Sequence, residues 1–241
     1  MSKSRSQVNV KDLYLESSGT PPGCDPINTA FPVVSADSDH RLLSLQPFGL
    51  RWGQDNQMRN VIFAINTTLD GCVDHTRQVA DDETHEYFTD LLREVDLGVF
   101  GRVTYQLMVP FWPEVAKNQS MTKASNEFAR AFVSINKIVF SRSLESAEDK
   151  NTRIVRTNLR DEILKLKQEE GKNILVGGVS IPSQLIELGL VDEYRFVVSP
   201  IVAGEGRRLL EGVSLPESLQ LKLVESKIFK SGCVALRYLK Q

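Results

Sequence analysis

The sequence predicts an α/β domain with a mostly parallel central sheet, helices on both of its faces and an antiparallel hairpin at its C-terminal end. Three observations carry that expectation. From Asn60 onward, short apolar runs alternate with stretches of helical periodicity, the pattern of strand–helix–strand units. Two of the apolar runs, Leu97-Gly-Val-Phe100 and Ile174-Leu-Val176, stop at glycine and open directly into a helix. The last two runs, Leu219–Val224 and Val234–Leu239, alternate polar with apolar residues on either side of Lys230-Ser-Gly232, as hairpin strands do.

Taken in order, Val61–Ile65 reads as a buried strand. Residues 82–95 follow as a helix with Tyr87, Phe88, Leu91, Leu92 and Val95 on one face, and Asp81-Asp82-Glu83 complement its positive end. After Leu97–Phe100 a helix runs from Arg102 to about Met108, and Pro110 and Pro113 then break the chain around Phe111-Trp112. A helix over about Lys123–Phe132 precedes the strand Lys137–Phe140. Arg153–Val155 is a short strand, and Asp161–Gln168 a helix with Ile163, Leu164 and Leu166 inward. Ile174–Val176 leads into helix 181–189, which Gly189 ends as a C-cap, and Tyr194–Ser199 is the next strand.

Residues 1–58 differ in kind. Gly19-Thr-Pro-Pro-Gly23, Phe31-Pro32 and Gln46-Pro-Phe-Gly49 interrupt them, and no apolar period is sustained. They read as an N-terminal extension, partly disordered or loosely packed, on a domain spanning residues 59–241. Its apolar clusters, Leu42–Leu45 and Phe48–Trp52, suit docking on that domain.

Composition narrows the function classes. The 241 residues carry a formal net charge of -2, which offers no whole-molecule attraction to nucleic acid or to anionic lipid. No apolar run reaches bilayer-spanning length, and no signal-peptide core follows the N-terminus, so a cytoplasmic location is expected. Cys24, Cys72 and Cys233 are scattered, and His40, His75 and His85 form no ligand pattern, so no metal is expected.

The glycine junctions carry the chemistry. Backbone N–H groups at a helix start, together with the helix dipole, favour a phosphate beyond the strand end. Gly101-Arg-Val-Thr104 offers such a turn, with Arg102 as a phosphate partner and Thr104 in the first helical turn; a purely structural turn is the competing reading. Gly177-Gly178-Val179-Ser180-Ile181 is the stronger signal, because paired glycines weaken a strand end unless something approaches the backbone. Ser141-Arg142 puts a hydroxyl and a guanidinium at another strand end, suited to a phosphate monoester or simply to solvent. Thr68-Leu-Asp-Gly71 reads as a turn over the end of the first strand.

Together these segments resemble the dihydrofolate-reductase-like superfamily, and within it the reductase domain at the C-terminus of the bifunctional riboflavin-biosynthesis deaminase–reductase. The resemblance rests on Ile65-Asn-Thr-Thr-Leu-Asp-Gly71, Val99-Phe-Gly-Arg-Val-Thr-Tyr105, Pro110-Phe-Trp-Pro113, Val139-Phe-Ser-Arg142, Leu175-Val-Gly-Gly-Val179, Pro200–Leu209 and Ser231–Tyr238, over about residues 59–240. No His-x-Glu with a following Pro-Cys-x-x-Cys is present, so the zinc deaminase half has no counterpart and the chain looks like a stand-alone member.

The resemblance implies NADPH as cofactor. The backbone near Ala64 and Ile65 would meet the nicotinamide carboxamide, and Gly101, Arg102 and Thr104 the diphosphate and adenosine side. Ser141 and Arg142 would meet the adenosine and 2′-phosphate, and Gly177, Gly178, Val179, Ser180 and Ile181 the diphosphate and nicotinamide ribose. A cis peptide at Gly177–Gly178 and a homodimer are also implied. The expected activity is hydride transfer to a small heterocyclic or imine-like substrate, as in 5-amino-6-(5-phosphoribosylamino)uracil reductase. Phe63, Leu69 and Trp112 would wall the substrate pocket, and water, Asp70 or Glu86 would give the proton. A non-catalytic protein that binds or senses NADP(H) is the alternative.

Overall fold

The computed structural model describes residues 58–78, 80–213, 215 and 217–241. The extension expected over residues 1–58 lies outside them, apart from Met58. The strands are β1 (Val61–Thr68), β2 (Val95–Gly101), β3 (Asn136–Phe140), β4 (Thr152–Val155), β5 (Asn173–Val176), β6 (Glu193–Ser199), β7 (Leu221–Ile228) and β8 (Val234–Lys240). They form one 8-stranded sheet in the order β4-β3-β2-β5-β1-β6-β8-β7. The pairings from β4 across to β6 are parallel, whereas β8 pairs antiparallel with β6 and β7 antiparallel with β8. The mostly parallel sheet with a C-terminal antiparallel hairpin is the architecture expected from the alternation of elements.

Six helices cover the sheet among the described residues: α1 (Asp82–Glu94), α2 (Arg102–Met108), α3 (Phe111–Asn118), α4 (Lys123–Ser134), α5 (Leu159–Gln168) and α6 (Ser180–Glu187). The two-residue period of β1 sorts them into layers. Ile62 and Ala64 pack with Leu91 of α1, Tyr105 of α2 and Phe132 of α4. Val61 and Phe63 point the other way, into Ile163 of α5 and Leu185 of α6. Each fully buried side chain of this size stabilises the fold by about 1.5–3 kcal/mol.

Helix starts follow local chemistry. Side-chain oxygens of Asp81, Thr122 and Asn158 accept from Thr84 N, Ser125 N and Asp161 N, capping α1, α4 and α5. α2 and α6, the helices that open at the glycine junctions, have no side-chain cap. Their first N–H groups are therefore left for another acceptor.

Three expectations are corrected. Pro110 does separate α2 from α3, but Pro113 does not break the chain: it lies in the first turn of α3, where a missing N–H costs nothing. Leu164 points outward on α5, 37% exposed, while Ile163 and Leu166 are buried. No cis peptide occurs among the described residues, so Gly177–Gly178 is trans. The sharp turn there comes from Gly178 at φ +82, a conformation that a side chain disfavours.

Candidate functional site

β2 and β5 are neighbours in the sheet, but their onward connections part. From β2 the chain leads through α2, α3 and α4 to β3, and from β5 through α6 to β6 on the other side of β1. Such a divergence opens a crevice at the carboxyl ends of parallel strands, the usual ligand position in this architecture. The residues expected to contact a dinucleotide gather along it.

Room for a side chain is lacking at Gly177 and Gly178 and tight at Gly101, where the two junctions meet. A Cβ on Gly178 would run into Thr104 Oγ1 and lie 3.1 Å from Thr104 Cβ. One on Gly177 would lie 2.9 Å from the Phe100 ring, and one on Gly101 would lie 3.1 Å from Ser180 Oγ. The starts of α2 and α6 are thus pressed together, so their uncapped N–H groups share one end of the crevice. That geometry suits an anion. Arg102 is exposed beside it, with Nη1 3.2 Å from Gln106 Oε1.

On one side of this contact lies a cavity of about 190 Å³, bordered by Ala64, Ile65 and Asn66 of β1, by Gly177 and Gly178, and by Thr104. The rest of its lining is apolar, including Phe88, Leu91, Phe100 and Phe128. On the other side a groove of about 690 Å³ runs over the ends of β3 and β4, past Ser141, Arg142, Arg156 and Arg160. Ile181 forms part of its floor and lies 3.4 Å from where a Gly101 Cβ would stand, linking groove to junction. Ser141 Oγ accepts from Ser143 N and Leu144 N, and Arg156 Nη2 donates to Leu144 O at 2.6 Å. Arg142 is exposed at the groove rim.

Several expected residues stand elsewhere. Phe63 is fully buried on the α5–α6 side, edge-on to Tyr194 and Phe196, because residues 62, 64 and 66 take the other face of β1. Leu69 is 64% exposed on the turn after β1 and does not border the cavity. Trp112 packs on His85 and Phe128, and only Phe128 reaches the lining, so Trp112 supports the wall from behind.

The expected acids are likewise displaced. Asp70 accepts from the Thr68 hydroxyl and from the N–H groups of Ala203 and Gly204, and Arg208 stands 3.4 Å away. Those hydrogen bonds, the Thr68 hydroxyl foremost, hold its carboxyl well below the usual carboxylate range. At neutral pH Asp70 is therefore an ionised clamp on the loop after β6 and is poorly suited to give a proton. Glu86 is exposed on α1 and borders no part of the cavity. His85, one residue earlier, donates from Nδ1 to Asp81 O at 2.9 Å, and burial among aromatic rings lowers its pKa.

Arg156 and Arg160 belong to no motif, and Asn66, although inside the Ile65–Gly71 segment, carries no expected role. Arg156 and Arg160 flank the cap residue Asn158, so their signal was a basic pair around a strand-to-helix junction. Asn66 is found by extending the Ile62–Ala64 alternation by one step.

The RibD C-terminal domain model matches residues 59–235, the whole of the crevice included. The chain belongs to the RibD C-terminal domain family. It is 31% identical over 186 residues to the uncharacterised protein YyaP of Bacillus subtilis, covering 76% of this chain and 95% of that protein. Among solved structures, it superposes with a TM-score of 0.59 on a putative riboflavin biosynthesis protein from Shewanella sp. PV-4, at 20% identity over 76% of this chain and 99% of the other. A deaminase/5-amino-6-(5-phosphoribosylamino)uracil reductase from Thermotoga maritima gives a TM-score of 0.55 at 16% identity, over 77% of this chain but 58% of that one. The α/β fold class expected, a mostly parallel sheet between helices with a C-terminal antiparallel hairpin, is the one observed, and these structures share the fold. No helix among the described residues is long and apolar enough to cross a membrane.

Proposed function

We propose that this chain is an NADPH-dependent reductase of the riboflavin-biosynthesis type, acting on a small heterocyclic or imine-like substrate. The observation that carries this reading is the continuity of three features along one crevice: an apolar ring-sized cavity, a pair of uncapped helix starts with no room for a Cβ, and an arginine-rimmed groove. Their order matches the order of parts in the dinucleotide. Bound there, NADPH supplies a hydride to an electrophilic carbon of the substrate.

Each part of the chain then has a task. The backbone N–H groups at the starts of α2 and α6 neutralise the diphosphate without side-chain charge. Arg142, Arg156 and Arg160 favour a 2′-phosphate over a 2′-hydroxyl through charge-assisted hydrogen bonds. The backbone of Ala64 and Ile65 holds the reacting ring against β1, and Phe88, Phe100 and Phe128 keep water from it. Among the described residues no ionisable side chain borders the cavity, so the proton is drawn from water outside the ring that Phe88, Phe100 and Phe128 shield. That same feature favours a second reading, NADP(H) binding without turnover. Mixing the protein and NADPH with a panel of pyrimidines, pterins and flavins separates the two: the account predicts oxidation of NADPH with at least one acceptor, and binding without consumption across the panel would favour a sensor.

A homodimer is part of the same proposal. β7 ends the sheet with both faces open, and Leu223, Val224 and Ile228 are exposed along it. An exposed apolar edge strand is an aggregation liability that pairing removes.

A further inference from the structure

A polar cluster lies beneath residues 141–151, the loop from β3 to β4 that passes the arginine-rimmed groove. Tyr105 of α2, 1% exposed, donates from its hydroxyl to Asp149 Oδ1 at 3.0 Å and accepts from Glu148 N at 2.9 Å. Lys137 of β3, its side chain also 1% exposed, donates to Asp149 Oδ2 at 3.2 Å and to Ile135 O at 3.1 Å. The far end of the loop is thereby held from below. At its near end Ser141 Oγ accepts from Ser143 N and Leu144 N, and the Leu144 side chain packs on the core cluster that contains Tyr105. Leu144 O in turn accepts from Arg156 Nη2 at 2.6 Å. The loop therefore carries one groove arginine, Arg142, and holds the guanidinium of another, Arg156; both are exposed and both border the groove.

We propose that Tyr105 is a positioning residue for cofactor choice: by latching residues 148 and 149 it sets the loop that presents Arg142 and Arg156 to the groove. Tyr105 itself borders neither groove nor cavity, so it acts through the arginines. A buried ion pair adds little net stability over well-packed apolar groups, and the use of Lys137 and Asp149 here is to fix one geometry. The inference rests on the functional reading above, which seats a 2′-phosphate in this groove.

The test measures NADPH and NADH affinities by calorimetric titration of the full chain as wild type, as Tyr105→Phe, as the pair Arg142→Ala/Arg156→Ala, and with all three changes together. Tyr105→Phe keeps the ring in the core and removes only the hydroxyl. It is expected to weaken NADPH about three- to tenfold, no more than the loss of one charge-assisted pair to the phosphate, and to leave NADH unchanged. In the chain without the two arginines it should cost NADPH nothing further, since the groups it positions are gone. A tyrosine that serves stability alone would weaken both cofactors alike, or neither, in both backgrounds, and that result overturns the inference. Should Tyr105→Phe fail to fold, hydrogen exchange of the wild-type chain decides. The Glu148 amide, which the Tyr105 hydroxyl accepts, should exchange more slowly with saturating NADPH than with saturating NADH, and equal rates overturn the inference. A wild-type preference for NADPH that Tyr105→Phe retains in full overturns the inference and leaves the groove reading intact. Wild-type protein that binds the two cofactors equally overturns both.

Discussion

Replacing Gly178 with alanine tests whether the paired glycines are there to let two helix starts meet. Two costs are readable from the geometry. Gly178 has φ +82, and forcing a Cβ into the left-handed region costs about 1–2 kcal/mol. The new methyl also collides with Thr104, whose Cβ would be 3.1 Å away and whose Oγ1 would be nearer still. Overpacking of this kind costs about 1–3 kcal/mol. Together they predict a loss of about 2–5 kcal/mol in denaturant unfolding, with m unchanged. Because the relief route is a shift of α2 away from α6, NADPH affinity should fall as well. Adding Thr104→Ala to Gly178→Ala should recover part of the collision term and none of the backbone term, a coupling visible in a double-mutant cycle. A Gly178→Ala chain as stable as wild type, with unaltered cofactor affinity, would refute the reasoning.

Other consequences are equally direct. Arg142→Ala should weaken NADPH by about 1.5 kcal/mol, the low end for a charged hydrogen bond because Arg142 is exposed, and leave NADH nearly unaffected; equal losses for both cofactors would move Arg142 away from the 2′-phosphate. Glu193 accepts from Arg195 Nε and from Arg237 Nε at 2.8 Å, with the Glu193 and Arg195 side chains 4% and 5% exposed. Burial alone would raise its pKa and the two guanidiniums more than reverse this, so Glu193→Leu should cost about 3 kcal/mol in chemical denaturation, and Glu193→Gln less. Asp70 has a folded pKa below its unfolded value of about 3.9, so its contribution is complete above that pH and is lost as pH falls through the folded value. The Ala203 and Gly204 amides should therefore stay protected from hydrogen exchange down past pH ~4 in wild type and exchange freely at neutral pH in Asp70→Ala. Ile228→Lys, at a position 78% exposed on β7, should turn a dimer into a monomer in sedimentation velocity.

The layout of the domain was legible because most strands here are short apolar runs and most helices carry a cap or an apolar stripe. Asp81, Leu91 and Leu92 announced α1, and Ile174–Val176 followed by two glycines announced β5 and the turn beyond it. The pocket walls were harder to read. Val61–Ala64 is apolar at every position because β1 is covered on both faces, so alternation could not say that Phe63 turns toward α5 and Ala64 toward the cavity. Phe88 and Phe128 come from helices whose inward faces look alike whether they meet a core or a cavity. Asp70 looked like a candidate acid in sequence, but its partners Ala203 and Gly204 lie more than a hundred residues away and only the fold joins them. Pro113 misled because proline marks a helix's first turn as readily as its end.

Calorimetric titration of the full chain with NADPH and, separately, NADH tests the central claim most directly, since it asks whether the crevice grips the dinucleotide that its parts match. The account predicts one NADPH per chain and at least about tenfold weaker NADH, the ratio that one charge-assisted pair to the 2′-phosphate supplies. Failure to bind NADPH at millimolar concentration, or equal affinity for the two cofactors, would contradict it.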